Sequence, residues 1–233
     1  MVGAPRGAPG KPAMRPLANT KWCCALAVIF AAGGAMAQAD RLRPGATDAA
    51  GRLAEARADA KLAASLIRTG QKAAGFCANC HGEAGNSVKP EVPNLAGQNV
   101  AYLLEQSRLF SDGRRRDPFM EGLFRALSVD EKVGVAMYFA AQPVSPRPAG
   151  RADLRASGEA LYARTCFRCH AADGLGNDKI ARIAGQQPAY LDLTLRRYRA
   201  GSGVRADPLM AEQARLLSDA QIEALAAYVS ALP

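Results

Sequence analysis

The chain has 233 residues, a length that suits one or two domains, and a formal net charge of +9. Residues 1–37 carry four basic residues and no acidic one, and the remainder has 26 basic and 21 acidic residues, a net charge of +5. A charge of this size is a poor argument for nucleic-acid binding, so we expect no nucleic-acid partner.

Residues 1–37 have the layout of a secretory signal peptide, because a basic segment precedes an apolar stretch from Trp22 to Ala35 and small residues follow it. We predict cleavage after Ala37, with cleavage after Ala39 as the alternative. An uncleaved membrane anchor is the competing interpretation, but the apolar stretch is shorter than the roughly 20 residues that a spanning helix needs. Cleavage would leave the mature chain in the periplasm and would remove two of the six cysteines.

Residues 38–69 are predicted to form an N-terminal extension that leads into a long first helix. This helix spans about residues 50–74, an alanine-rich segment with apolar residues at helical spacing. The apolar residues are Leu53, Leu62, Leu66 and Ile67. The corresponding helix later in the chain, at about 155–166, is shorter.

Two copies of a Cys-x-x-Cys-His motif follow, at Cys77–His81 and Cys166–His170, and they contain the only two histidines of the chain. Residues i and i+3 of a helical turn lie on one face, so both thiols of a motif can add to the two vinyl groups of one haem while the histidine reaches the iron. A zinc site or a redox disulfide is the usual alternative for a bare Cys-x-x-Cys, but here a histidine follows each pair and the pairs lie 89 residues apart. We therefore predict two covalently bound haem c groups. The predicted thioether cysteines are Cys77, Cys80, Cys166 and Cys169, and the predicted proximal iron ligands are His81 and His170.

The segment after the first motif is repeated after the second. Leu95–Gln98 is matched by Ile183–Gln186 at an offset of 88, and Asp117–Met120 is matched by Asp207–Met210 at an offset of 90. Self-similarity over this length indicates that the chain contains two copies of one haem domain.

The two domains are predicted at residues 70–141 and 153–233. The segment between them, 142–152, contains three prolines, which favour an extended and semi-rigid linker. The only dense basic run, Arg114–Arg116, is best explained as a solvated loop, with a partner-docking patch as the alternative.

Helix signals recur in both copies. Ser128 and Ser218 each stand three residues before a glutamate or glutamine, which is the signature of a capping box at a helix start. Pro188 suits the first turn of another helix. The predicted helices span about residues 100–111, 129–141, 188–200 and 219–231. Because no segment has a strand pattern, we predict an all-α fold with two tandem helical domains.

Each haem iron needs a second axial ligand if it is to cycle between oxidation states without large rearrangement, and counting histidines excludes a second histidine. The mature chain has three methionines, of which Met120 and Met210 stand at equivalent positions, 39 and 40 residues after their histidines. Met137 aligns with Ala227 and is assigned to packing. We predict Met120 and Met210 as the distal ligands. A thioether sulfur favours ferrous iron, raises the redox potential and occupies the position where oxygen or peroxide would bind.

These residues resemble those of class I cytochromes c, and the two-haem layout over residues 70–233 resembles the cytochrome c4 family of periplasmic electron carriers. The resemblance implies two small helical domains related by an approximate two-fold axis. Family members place a proline after the haem motif, whose carbonyl accepts a hydrogen bond from the proximal histidine. Pro93 can fill that role in the first copy, but residues 178–182 of the second copy contain no proline, which leaves the orientation of His170 undetermined.

Three functions are compatible with these features. The leading hypothesis is a periplasmic electron carrier, not an enzyme, that serves a respiratory chain between a quinol-oxidising complex and a terminal oxidase and associates at most peripherally with the membrane. The second is an electron-transfer subunit of a dehydrogenase or oxidase complex, which the long first helix would help to dock. The third is a dihaem peroxidase-like or thiosulfate-oxidising enzyme, which would need an open distal site, whereas both sites here have a methionine candidate.

Overall fold

Helices make up the regular structure of residues 48–146, 151–205 and 207–233, which the computed structural model describes and in which no strand occurs. The predicted signal peptide lies outside these residues. The α-helices are, in chain order, α1 (Ala49–Ala58), α2 (Ala60–His81), α3 (Val100–Ser111), α4 (Pro118–Ala126), α5 (Val129–Ala140), α6 (Arg155–Thr165), α7 (Phe167–His170), α8 (Pro188–Ala200), α9 (Pro208–Arg215) and α10 (Asp219–Val229). None of these helices is long and apolar enough to cross a membrane.

The helices predicted from capping and proline signals are confirmed as α3, α5, α8 and α10. Helix α8 begins at Pro188, whose missing N–H costs nothing in a first turn. Helix α5 begins with a complete capping box, in which Ser128 Oγ accepts from the backbone N–H of Glu131 and the Glu131 carboxylate accepts from the backbone N–H of Ser128. Ser218 and Gln221 form the same arrangement at the start of α10.

The first helix is not continuous, and the prediction of one helix over residues 50–74 is wrong. Asp59 has an extended backbone (φ −129°, ψ 106°) and separates α1 from α2. Its carboxylate accepts from the backbone N–H groups of Lys61 at 2.8 Å and Leu62 at 3.2 Å. Aspartate can satisfy the free N–H groups of a helix start, which stabilises a new helix at this point. Helix α2 then continues to His81.

Helix α1 packs into the hydrophobic core of the first half of the protein. Leu53 is 6% exposed and lies in one cluster with Leu66 of α2, Leu104 of α3 and Val133 of α5. Arg52 also joins α1 to the first turn of α5, because its Nε and second guanidinium nitrogen donate to the two carboxylate oxygens of Asp130 at 2.7 and 3.0 Å. Helix α1 therefore packs on α2, the helix that ends in the first motif, and on α5.

Helices α2 and α5 cross with their backbones in contact. A Cβ atom on Gly70 would lie 1.9 Å from the carbonyl carbon of Gly134. The second half repeats the crossing between α6 and α10, where a Cβ on Gly158 would lie 2.1 Å from the carbonyl oxygen of Ala224. Small residues at these positions let the helix that carries each Cys-x-x-Cys-His motif approach the closing helix of its half.

The second half has its own core, in which α6, α8 and α10 meet. Its buried members are Leu161, Tyr162, Leu191, Leu225, Ala226 and Val229. The two halves therefore repeat one arrangement of a motif helix, a middle helix and a closing helix, as the duplication predicts.

Candidate haem sites

The two Cys-x-x-Cys-His motifs lie at helix ends. Cys77–His81 forms the last turn of α2, and Cys166–His170 continues α6 into the short helix α7. The four thiols are free of disulfide bonds. Burial raises the pKa of the thiols of Cys77 and Cys166.

Each candidate proximal histidine is buried and oriented by one backbone carbonyl. His81 and His170 are both 9% exposed. The Nδ1 of His81 donates to the carbonyl oxygen of Pro93 at 2.8 Å, which confirms the role expected for this proline. Because Nδ1 carries the proton, Nε2 keeps the lone pair that an iron ion binds. Burial also lowers the pKa of both imidazoles, which favours the neutral ligand form.

The second copy orients its histidine without a proline. The Nδ1 of His170 donates to the carbonyl oxygen of Ala181 at 3.0 Å. Asn177 holds this loop, since its side-chain oxygen accepts from the backbone N–H groups of Lys179 at 2.9 Å and Ile180 at 3.1 Å. A polar turn thus replaces the rigid ring of proline, and the two histidines have the same hydrogen bond.

The two candidate distal methionines occupy the same position in equivalent helices. Helices α4 and α9 each begin with Asp-Pro, and the aspartate carboxylate accepts from the backbone N–H of the methionine at 3.0 Å in both. Met120 and Met210 are therefore third in their helices, and both are partly buried. Met137, in contrast, packs against the first hydrophobic core.

Other contacts connect each methionine turn to its own motif. The ring of Phe119 stacks on the ring of Phe76, which directly precedes Cys77, with centroids 6.2 Å apart. In the second half, burial lowers the pKa of His170. The hydrogen bond to Ala181 and the negative charge of Asp207 both oppose this lowering. The turn before Met120 thus packs against the residue that precedes the first motif, and the turn before Met210 acts electrostatically on His170.

Several known proteins are similar to this chain over most of its length. A family model described as cytochrome C oxidase, cbb3-type, subunit III matches residues 153–229. Cytochrome c4 of Pseudomonas aeruginosa is 35% identical over 184 residues, which cover 73% of this chain and 90% of that protein. The crystal structure of reduced recombinant cytochrome c4 from Pseudomonas stutzeri superimposes with a TM-score of 0.66 at 32% identity, covering 72% of this chain and 98% of that one. The chain belongs to the cytochrome c4 family.

This member of the family is therefore a dihaem electron-transfer protein with two class I cytochrome c domains and two covalently attached haem c groups. A further relative is the thiosulfate dehydrogenase electron acceptor of Thiomonas intermedia. It is 33% identical over 177 residues, which cover 69% of this chain and 80% of that protein.

A cluster of arginine and tyrosine side chains lies between the two domains, and the motifs did not reveal it. Arg205 donates to the hydroxyl groups of Tyr190 and Tyr102, the latter at 3.4 Å, and Arg115 donates to the hydroxyl of Tyr190 at 3.2 Å. Gln106 accepts from both arginines, at 2.8 Å from Arg115 and 3.3 Å from Arg205. For Arg115, the solvated loop expected for the basic run is wrong, because this guanidinium also packs 4.3 Å from the centre of the Phe110 ring.

The cluster places two positive charges at partly buried positions. Burial and the charge of Arg205 lower the pKa of Arg115. Burial would raise the pKa of Tyr190, but the two guanidinium groups outweigh it and lower that pKa. Among residues 48–146, 151–205 and 207–233, neither arginine has a carboxylate within ion-pair distance.

These residues fit the group that the family binds. Haem c carries two propionate carboxylates, and a pair of partly buried guanidinium groups could receive them by charge-assisted hydrogen bonds. The sequence did contain a signal, since Arg115 and Arg205 are related by the same offset of 90 as the two methionines and stand five residues before them.

Proposed function

We propose that the protein is a periplasmic carrier of single electrons whose two haem irons each have a histidine and a methionine as axial ligands. His81 and Met120 would ligate the iron of haem 1, and His170 and Met210 would ligate the iron of haem 2. Thioether bonds from Cys77, Cys80, Cys166 and Cys169 would hold the haem rings. The observation that carries this proposal is the repetition, in both halves, of a buried histidine fixed through Nδ1 and a methionine fixed by an Asp-Pro helix start.

This ligation suits electron transfer better than catalysis. Haem c, when bound, supplies a one-electron iron couple. A methionine sulfur on the distal side raises its potential and keeps oxygen and peroxide from the iron. Since both proximal histidines are used as ligands and donate from Nδ1 to a carbonyl, neither is available as an acid or base. We therefore infer that the protein passes electrons and does not itself transform a substrate.

Exposed apolar side chains beside the motifs would serve as brief contacts for redox partners. Phe76 and Phe119 are 56% and 59% exposed next to the first motif, and Phe167 and Leu209 are 40% and 70% exposed in the second half. Small contact areas of this kind suit encounters that must dissociate after each electron. We propose a quinol-oxidising complex as donor and a terminal oxidase as acceptor, after export through the leader at residues 1–37 and cleavage after Ala37.

A second candidate donor is a thiosulfate dehydrogenase. The relative from Thiomonas intermedia supports it, because that protein is named as the electron acceptor of such an enzyme. Stopped-flow reduction of the oxidised protein distinguishes the two donors. Rapid reduction by a quinol-oxidising complex but not by thiosulfate dehydrogenase with thiosulfate would support the respiratory role, and the reverse would support the second candidate.

Carbon monoxide binding tests whether the distal positions are closed. The reduced protein is expected to bind it slowly or not at all, whereas Met120→Ala and Met210→Ala should each open one haem to rapid binding. Met137→Ala is the matched control, because this methionine packs in the first core and should leave both haems closed. Rapid binding by the unsubstituted protein would contradict the proposed ligation.

A further inference from the structure

Two buried glutamines cross between the domains in a reciprocal pattern. Gln98 accepts from the backbone N–H of Arg182 at 2.8 Å and donates from Nε2 to the carbonyl oxygen of the same residue at 2.8 Å. Gln186 accepts from the backbone N–H of Asn94 at 2.7 Å and donates to its carbonyl oxygen at 3.1 Å. The two glutamines are 6% and 7% exposed and are the equivalent final residues of the repeated segments Leu95–Gln98 and Ile183–Gln186.

Each glutamine contacts the peptide group that orients the histidine of the opposite domain. The carbonyl of Pro93 and the N–H of Asn94 belong to one peptide group, whose oxygen accepts from His81 and whose N–H donates to Gln186. The carbonyl of Ala181 and the N–H of Arg182 belong to another, whose oxygen accepts from His170 and whose N–H donates to Gln98. One peptide group therefore connects each proximal histidine to a glutamine of the other half.

We propose that Gln98 and Gln186 are positioning residues that set the redox potential of the haem in the opposite domain. A peptide whose N–H donates a hydrogen bond is polarised, so its carbonyl is a stronger acceptor, by roughly 10–30% per bond in a chain. A stronger acceptor at Nδ1 makes the imidazole a stronger donor to the iron, which favours the ferric state. This inference rests on the proposed ligation of iron by His81 and His170.

Substitution of one glutamine should therefore shift the more distant haem. In Gln98→Leu, the Arg182 N–H loses its acceptor, and the potential of haem 2 should rise while that of haem 1 stays unchanged. We expect about a twofold change in the equilibrium constant for reduction of haem 2, or about 18 mV at about 59 mV per tenfold for one electron. Gln186→Leu should raise the potential of haem 1 alone.

The measurement is a redox titration of the holoprotein followed by NMR. The haem methyl resonances of the oxidised protein can be assigned to each haem through their contacts with its own motif helix, so the two potentials are read separately. If Gln98→Leu does not fold, Gln186→Leu tests the same relation in the other direction. The potential of haem 1 should then rise while that of haem 2 stays unchanged.

Asn99 provides a matched control. Its side-chain nitrogen also donates across the interface, to the carbonyl oxygens of Leu175, Asn177 and Ile180 at 3.1, 2.8 and 2.9 Å, but none of these accepts from His170. Asn99→Ala should loosen the interface without a selective shift of haem 2. Equal shifts of both haems in Gln98→Leu, a shift of haem 1 alone, or the same selective shift in Asn99→Ala would overturn the proposal. Any of these results could occur with the histidine and methionine ligands of both haems in place. Such a result would therefore overturn this inference without contradicting the proposed function.

Discussion

Replacing Gly70 by alanine should destabilise the first domain by about 2 kcal/mol. The new Cβ would lie 1.9 Å from the carbonyl carbon and 2.0 Å from the carbonyl oxygen of Gly134, whereas carbon atoms in contact lie about 3.5–4.0 Å apart. Helices α2 and α5 would have to separate by roughly 1.5 Å at their crossing. Overpacking costs about 1–3 kcal/mol, and a value near 3 is expected because backbone atoms cannot rotate away as a side chain can. The higher helix propensity of alanine offsets about 1 kcal/mol.

Urea denaturation of the holoprotein, followed by circular dichroism and by the haem absorption, measures the free energy of unfolding of the Gly70→Ala and unsubstituted proteins. Gly75→Ala is the matched control, because Gly75 lies in the same helix and a Cβ there would meet nothing within 4 Å. The control should gain about 0.5–1 kcal/mol from helix propensity alone. A Gly70→Ala protein as stable as the unsubstituted one, or equal losses in both variants, would refute the close helix crossing.

Three further outcomes follow from single contacts. Ala171 has φ 63° and ψ 168°, a conformation that only glycine adopts without strain, so Ala171→Gly should raise the free energy of unfolding by about 1 kcal/mol after the greater freedom of the unfolded glycine is subtracted. Ser128→Ala and Ser218→Ala should each cost about 1 kcal/mol at neutral pH. Hydrogen bonds from Ser128 hold the pKa of Glu131 below its usual value. The stabilisation by the Ser128–Glu131 pair is therefore complete above the ordinary pKa of glutamate and is lost as the pH falls through the lowered pKa of Glu131. Urea titrations in acid should therefore show a smaller penalty for Ser128→Ala and an unchanged one for Ser218→Ala, and equal penalties at all pH values would contradict this. Arg205→Gln removes a positive charge near both domains and should lower both potentials by on the order of 40 mV, about 1 kcal/mol at an effective dielectric constant of about 20; potentials that do not change in spectroelectrochemistry would exclude this electrostatic role.

Local signals in the sequence predicted much of the fold. The helix starts at Ser128, Ser218 and Pro188 depend on hydrogen bonds within a single turn, so the residue types suffice to locate them. The break at Asp59 was missed because no glycine or proline marks it. An aspartate can also lie within a continuous helix, so its presence alone does not indicate a break. Only the packing of α1 on the first core shows that a new helix begins here.

Some features of the candidate sites can be predicted from the sequence, and others are visible only in the folded structure. The motif residues and the repeated methionines are candidates that spacing and duplication alone predict. The orientation of His170 by Ala181 could not, because any backbone carbonyl can accept and only the folded loop selects one. The same reason hid the partly buried position of Arg115, whose neighbour Arg205 comes from 90 residues away and meets it only when the two domains pack.

The weak far-red absorption of a ferric haem with a methionine sulfur ligand tests the central claim most directly. The fully oxidised protein should show this band with the intensity of two haems. Half of it should disappear in Met120→Ala and the other half in Met210→Ala, while Met137→Ala should retain all of it. A band with the intensity of one haem, or one that survives either of the first two substitutions unchanged, would contradict two iron centres closed by histidine and methionine.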